Sequence, residues 1–496
     1  MATTLTPTEA WEPLPASRWD ASAAAHLLRR TGWSATPAEV ARATADGLAP
    51  TLDRLFPGTP ATIAKPDSVT RLREYAPEYV KQLAAANPVE KRQLQKEARE
   101  RSQQALQDTG LRWLDFAAQP ATAAQAKWVL FLSDVYVVSA EKVKNAALIW
   151  SHFDRIALHS LGPAPELTKA ISRSPAMIEY LDLNQNRREA PNENFARELF
   201  ELFLLGEGHY TERDIKESAR AFTGYRQRFG EFFYAARQHD YGEKTIFGRT
   251  GHFTGDDVIA LAYRQPAAGT FLPHELAKFY LTDEPLPAAQ LEALGAWWSA
   301  HDYNLRALAQ RFFASQLFFD QEYRANFIKS PVQLYLGLVQ DLNLDVTPVP
   351  RLVLNPLRQM GQALYNPPNV RGWVGGRNWI NSATLAARRR LVGALFNPLN
   401  EDKLNADEIA ALNAARARGE TKFSVDNAVF ADLAKLDPAA AADRLLGNFL
   451  AAPVSSAFRD TVRQFLTSGA HDDASRLRQL RRTATVLMES SEYQLC

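Results

Sequence analysis

A single cysteine, Cys496, stands in 496 residues, so an intramolecular disulfide framework and any cysteine-built metal knuckle are excluded. No apolar run approaches the roughly 20 residues that a membrane-spanning helix needs. The segment from Met1 to Pro15 has no basic region followed by an apolar stretch. The chain therefore reads as soluble and cytoplasmic as written, or as exported if a signal has been removed. An excess of one charge is missing too, since 57 Lys and Arg face 56 Asp and Glu for a net charge of +1. Without a global field to draw phosphates, no nucleic-acid partner is expected. The phosphate-cradling GxxxxGK[ST], HExxH and GxSxG patterns are all absent, and Gly224 belongs to no dinucleotide fingerprint after a strand. No nucleotide or nicotinamide cofactor is expected.

What is there is an ordinary globular composition, 46% hydrophobic and 23% charged, long enough to bury a large core. The patterning predicts an all-α fold: a large irregular multi-helix body with a protruding helical hairpin and two long irregular loops. A main helical domain over 1–345 and a C-terminal helical subdomain over 346–496 are expected. Thr36 with Glu39, and Thr211 with Asp214, sit at capping-box spacing before helices at Pro37 and Glu212. Val69 to Asp108 is charged and predicts the hairpin, with breaks at Pro77 and Pro88. Trp128, Val129, Phe131, Leu132, Val135 and Tyr136 predict a buried helix. Short hairpins fit only within the two irregular stretches, Tyr225–Asp256 and Asn366–Ser382.

The run from Pro191 to Gly206 carries the most information. At the helical period, Glu193, Asn194, Arg197, Glu198 and Glu201 fall within one arc of roughly 140°, while Phe195, Ala196, Leu199, Phe200, Leu202 and Phe203 fill the rest. Asn192 is a good N-cap and Gly206 a good left-handed stop. Three carboxylates, an amide and a guanidinium on one face point to acid–base work, metal ligation or a bonded structural network. In the first irregular stretch, His239 and Asp240 form a catalytic or metal-binding pair and Lys244 can meet an anionic group. In the second, Arg371, Trp373 and Trp379 lie among glycines and asparagines. Flat aromatic faces with planar donors suit a sugar ring, so the two loops and the helix are expected to form one cleft with a partly exposed tryptophan. His152 and His159 share a helix face and read as packing residues.

Four segments then carry a resemblance: Asn192 to Glu198, Tyr210 to Gly224, His239 to Lys244, and Asn366 to Trp373. With weaker matches from His26–Gly32 to Glu492–Gln494, the chain resembles the bacterial family called domain of unknown function 1800 along nearly its whole length. The resemblance implies no established reaction. It does imply a protein partner resembling the family called domain of unknown function 1501. Where such proteins typically show Trp-His-Asn-His-Phe, this chain has Leu132-Ser133-Asp134-Val135-Tyr136. If those histidines ligate a metal in relatives, this chain has lost them; Asp134 could replace one, whereas Ser133 and Val135 are poor ligands.

Two functional expectations follow. The first is a hydrolase or lyase acting on a carbohydrate-like substrate. Glu198 and Glu201 serve as acid and base or as ligands of a divalent metal, Arg197 stabilises negative charge, and His239 and Asp240 complete the cleft. Asn194, Lys244, Arg371, Trp373 and Trp379 bind substrate. The second is a non-catalytic helical binding or assembly partner, whose charged groups form a structural network and whose hairpin contacts another protein.

Overall fold

In the computed structural model, which describes residues 5–468 and 472–496, helix takes up 64% of the chain beside two small two-stranded sheets. The capping signals work as chemistry requires. Thr211 accepts the N–H of Asp214 while the Asp214 carboxylate accepts the N–H of Thr211, and Thr36 caps Pro37–Asp46. Gly206 and Gly224 adopt the left-handed conformation, with φ of +80° and +85°.

The centre of the core is the Ala123–Val135 helix, buried along almost its full length. Trp128 packs on Phe131 and Phe56. Its indole N–H donates to the Ser160 carbonyl at 2.7 Å. One continuous cluster of buried side chains runs from Ala10 to Tyr493. A satellite cluster of Val69, Ala105, Ala146, Ala147 and Trp150 lies at the root of the hairpin.

That hairpin pairs Asp67–Ala85 with Pro88–Ala118. Pro88 opens the second helix behind the capping residue Asn87, as a first-turn proline can. Pro77 corrects the expectation of a break, since it lies inside the first helix. On this exposed helix, water can take the carbonyl that the missing N–H leaves free.

Helices at Leu48–Leu55, Pro350–Gln359 and Ser382–Phe396 escape the sequence pattern. In the last, Arg388 interrupts the apolar face but is wholly buried, donating to the Lys329 carbonyl at 2.8 Å and to Gln494 at 3.1 Å. The Ser424–Lys435 segment forms a 3-10 turn, Asn427–Phe430, followed by a one-turn helix, Ala431–Ala434.

All four strands among the described residues fall in the first irregular stretch. Strand β1 (Tyr225–Arg228) pairs antiparallel with β2 (Glu231–Tyr234), and β3 (Lys244–Ile246) with β4 (Arg249–Gly251). The second stretch crosses the body with a single short 3-10 turn, Gly376–Trp379. Among the described residues no helix is long and apolar enough to cross a membrane.

Candidate functional site: a carboxylate cleft under the Arg371 loop

The Asn192 segment does not run as one α-helix. Asn192 accepts the N–H of Asn194 at 2.9 Å, and an α-helix covers Asn194–Glu198. From Leu199 to Leu204 the coil widens into a π-helix, with the N–H groups of Leu205 and Gly206 both donating to the Phe200 carbonyl. Wider turns place one more residue in each turn and change which side chains align, a feature that recurs at functional sites. Phe195, Ala196, Leu199, Phe200 and Phe203 are buried as their apolar character demands.

The polar face divides into two networks. Arg197 reaches Glu193 at 3.2 Å and grips both oxygens of Glu212 at 2.8 Å. These hydrogen bonds push the guanidinium pKa up. Asn194 donates its side-chain amide to the Leu181 carbonyl at 3.3 Å. Glu201 instead accepts from the Tyr210 hydroxyl at 3.0 Å and from Arg371 at 2.9 Å. Half-buried Glu198 is pushed up first by desolvation and then by the neighbouring Glu201 charge.

Arg371 joins the second irregular stretch to the π-helix through Glu201, and its Nη2 also meets Glu207, just beyond Gly206, at 2.7 Å. Two residues on, the Trp373 N–H donates to Asp134 Oδ1 at 2.9 Å. Gly372 between them has φ +82°, and a Cβ there would overlap the Asp134 carboxylate. Only glycine lets the backbone come this close. Burial pushes Asp134 up to about 7, against the Trp373 N–H, which favours the carboxylate.

Asp134 stands where two cavities meet. The outer one, about 400 Å³, is lined by Asp134, Glu201, Glu207, His209, His274 and Arg371 among others. The inner one, about 70 Å³, shares Asp134, Lys278 and Arg371 and ends on Lys127, Trp373 and Trp379. Lys127 donates to the carbonyls of Arg30 and Gly32 at 2.8 and 3.0 Å, and burial pushes it down to about 7. Trp373 and Trp379 are only 8% and 7% exposed. The expected exposed aromatic wall is thus corrected: both rings close the inner end of the cleft, held by the main core.

His239, Asp240 and Lys244 lie elsewhere. The His239 ring is buried, with Nδ1 2.9 Å from the Thr223 carbonyl, and desolvation pushes its pKa down. Asp240 accepts from Arg220 at 2.6 and 3.2 Å and from the Gly242 N–H at 2.8 Å. Lys244, also buried, donates to the carbonyls of Asp240 and Gly242 at 2.6 and 3.0 Å. These bonds tie the first irregular stretch to the Glu212–Ala221 helix. None of the three residues lines either cavity of the cleft. The fold therefore brings Glu201, Arg371, Trp373 and Trp379 together and leaves Arg197, Asn194, His239, Asp240 and Lys244 bonded to other parts of the chain.

His152 is fully buried between Ser174 and the Tyr136 carbonyl, at 3.0 and 2.9 Å. Tyr210, His209, His274 and Lys278 join the site without a pattern that singles them out. Asp134 did have a signal, its place in the segment that departs from Trp-His-Asn-His-Phe. Among the described residues no group of three or more His, Cys, Asp or Glu is placed to hold a metal ion.

A family model described as "Protein of unknown function (DUF1800)" matches residues 26–495. The chain belongs to this family. No curated protein and no solved structure matches it. For this DUF1800 protein the family brings no reaction, and the functional argument rests on the cleft.

Proposed function

We propose that the cleft is the active site of a hydrolase or lyase that works with paired carboxylates on a carbohydrate-like substrate. The observation that carries this reading is that Asp134 and Glu201 line one cavity in unlike surroundings. Asp134 is desolvated, with one backbone N–H against it, whereas Glu201 accepts from a guanidinium and a phenol. Carboxylates separated in this way divide the labour of acid and base. Asp134, holding its proton up to about pH 7, donates it to the leaving oxygen. Glu201 orients and deprotonates the attacking water, or removes a substrate proton in the lyase version, and Arg371 faces the negative charge that develops. Glu198 adds to the field behind Glu201, while Arg197, His239 and Asp240 hold the framework.

A panel of p-nitrophenyl glycosides and esters, assayed between pH 5 and 8, tests the reading. Asp134→Asn and Glu201→Gln should each lower kcat by about 10²-fold or more, the usual scale for a lost general acid or base. The alkaline limb of the wild-type rate profile should be absent in Asp134→Asn. Activity in the wild type that both variants retain would remove these carboxylates from the chemistry.

A second reading, a binding partner for a protein resembling the domain of unknown function 1501 family, is favoured by one observation. The far end of the hairpin exposes Val80 at 47% and Val89 at 68%, which is apolar surface a partner could cover. Co-purification that depends on Val80 and Val89, with no turnover of any substrate in the panel, would decide for it.

A further inference from the structure

The β1–β2 sheet has one edge docked and one edge open. On the β1 side, the Gln227 N–H donates to Asn184 Oδ1 at 3.1 Å. In an antiparallel ladder, opposed residues point their N–H and C=O groups either toward each other or away from each other. Phe232, opposite Gln227, therefore turns its N–H and C=O away from β1, and Tyr234 two residues on does the same. Among the described residues, nothing in the fold bonds these outer groups. Proteins ordinarily cover such an edge or blunt it with charge and proline. Here β2 carries aromatic rings on both faces, Phe233 at 44% exposure and Tyr234 at 41%, flanked by exposed Phe229 and Tyr241. An exposed apolar patch of this kind marks an interaction site.

The charges around the patch are unbalanced. Exposed Arg187, Arg228 and Arg237 form no ion pair among the described residues. The nearby carboxylates are already taken, Glu231 by Arg73 and Glu189 by Arg188. Arg226 stands opposite Phe233 and Arg228 opposite Glu231, so these four share one face of the sheet. The Arg188 N–H donates to the Gln238 carbonyl at 2.9 Å, and the Arg226 guanidinium bonds the Gln238 side chain. These bonds bring Arg187 and Arg237 to the flank of the same sheet. Burial, and then the Arg187 charge, push the Arg226 pKa down with no carboxylate to offset them. None of these residues lines either cavity of the carboxylate cleft.

We propose that the open edge of β2 is a docking site for an extended acidic segment of a partner protein, which adds a third strand to the sheet. Its backbone pairs with the outer groups of Phe232 and Tyr234, and alternate side chains lie beside Phe233 on one face and Tyr234 on the other. Its carboxylates meet the unpaired arginines, which sets the sign of the partner. Aromatic rings and arginines also suit a single-stranded nucleic acid, but only a peptide backbone offers the N–H and C=O groups that an open strand edge lacks. The site stands independently of any reaction in the cleft.

Fluorescence anisotropy on the full-length protein tests this with labelled, end-blocked probes: an alternating Glu-Val peptide, its Lys-Val and Glu-Pro counterparts, and oligothymidylate. The Glu-Val peptide should bind saturably at low ionic strength and be released as salt is raised. The Lys-Val peptide should bind at least about tenfold more weakly, because like charges then meet. The Glu-Pro peptide keeps the charge but loses the N–H groups, and should bind at least about fivefold more weakly, the scale of one net hydrogen bond. Arg187→Glu combined with Arg228→Glu reverses two exposed charges and should weaken the Glu-Val peptide at least about tenfold. If that variant fails to fold, the peptide series on the wild type still decides. No saturable binding of the Glu-Val peptide, equal binding of the Lys-Val or Glu-Pro peptide, unchanged binding in the folded variant, or tighter binding of oligothymidylate would each overturn the proposal.

Discussion

Asp134 is one carboxylate whose surroundings have consequences for both stability and reaction. Its folded pKa is raised from 3.8 to about 7 by burial, so the folded chain holds this proton more tightly than the unfolded chain does. The resulting stabilisation is complete below about pH 4 and is lost as pH rises toward 7. A difference of that size corresponds to about 4 kcal/mol. Asp134→Asn removes this dependence, so wild-type stability should fall relative to the variant between pH 4 and 7 and then run parallel to it. Paired urea titrations across that range check it, and a constant difference would show that Asp134 titrates normally in the fold. Gly372→Ala places a methyl against the same carboxylate at a backbone φ of +82°. It should cost about 1–2 kcal/mol from the left-handed strain alone, with further loss from the overlap. A melting temperature equal to wild type would mean the loop has another path around Asp134.

At the level of elements, the π-helix is the feature that sets the site. The apolar spacing from Phe195 to Phe203 is satisfied by a helix of either width. The wider coil carries Glu201, which Arg371 bonds together with Glu207 in the turn beyond Gly206. Deleting Leu202 should return the segment to an ordinary α-helix and rotate Glu207 by about 100°, one residue's turn. The expected result is an unchanged helical signal in circular dichroism with the Arg371 bridge broken and activity lost. Full activity in a folded deletion variant would separate the π-helix from function. The capping boxes show the opposite case. Thr211 with Asp214 and Asn87 with Glu90 form local bonds that need no distant partner, which is why helix starts are readable from spacing.

Across the whole molecule, the buried cluster that runs from Ala10 to Tyr493 joins the parts of the chain on both sides of residue 345. Long-range bonds cross that position too: Arg388 donates to the Lys329 carbonyl at 2.8 Å, and Tyr493 to Asp341 at 2.7 Å. A shared core unfolds as a unit, so calorimetry should show one transition. Two separated transitions would mean that 346–496 is a thermodynamic domain of its own.

The sequence by itself determined the helical class, most helix starts, the amphipathic split of the Asn192 segment and the position of the irregular stretches, because each depends on period and on bonds a few residues long. Glu201, Arg371, Trp373 and Trp379 were legible as candidates for the same reason: unusual polar or flat side chains stood out against regular patterns. Only the tertiary structure decided which candidates share a cleft. It set Glu201 beside Arg371 across 170 residues, closed the inner end with two buried tryptophans, and brought Asp134 to the centre through a backbone approach that one glycine permits. His239, Asp240 and Lys244 were equally unusual in sequence, yet their partners lie in their own loop and the neighbouring helix. Desolvation and long-range pairing depend on what the fold packs around a group. Neither can be read from the residue and its neighbours in the chain.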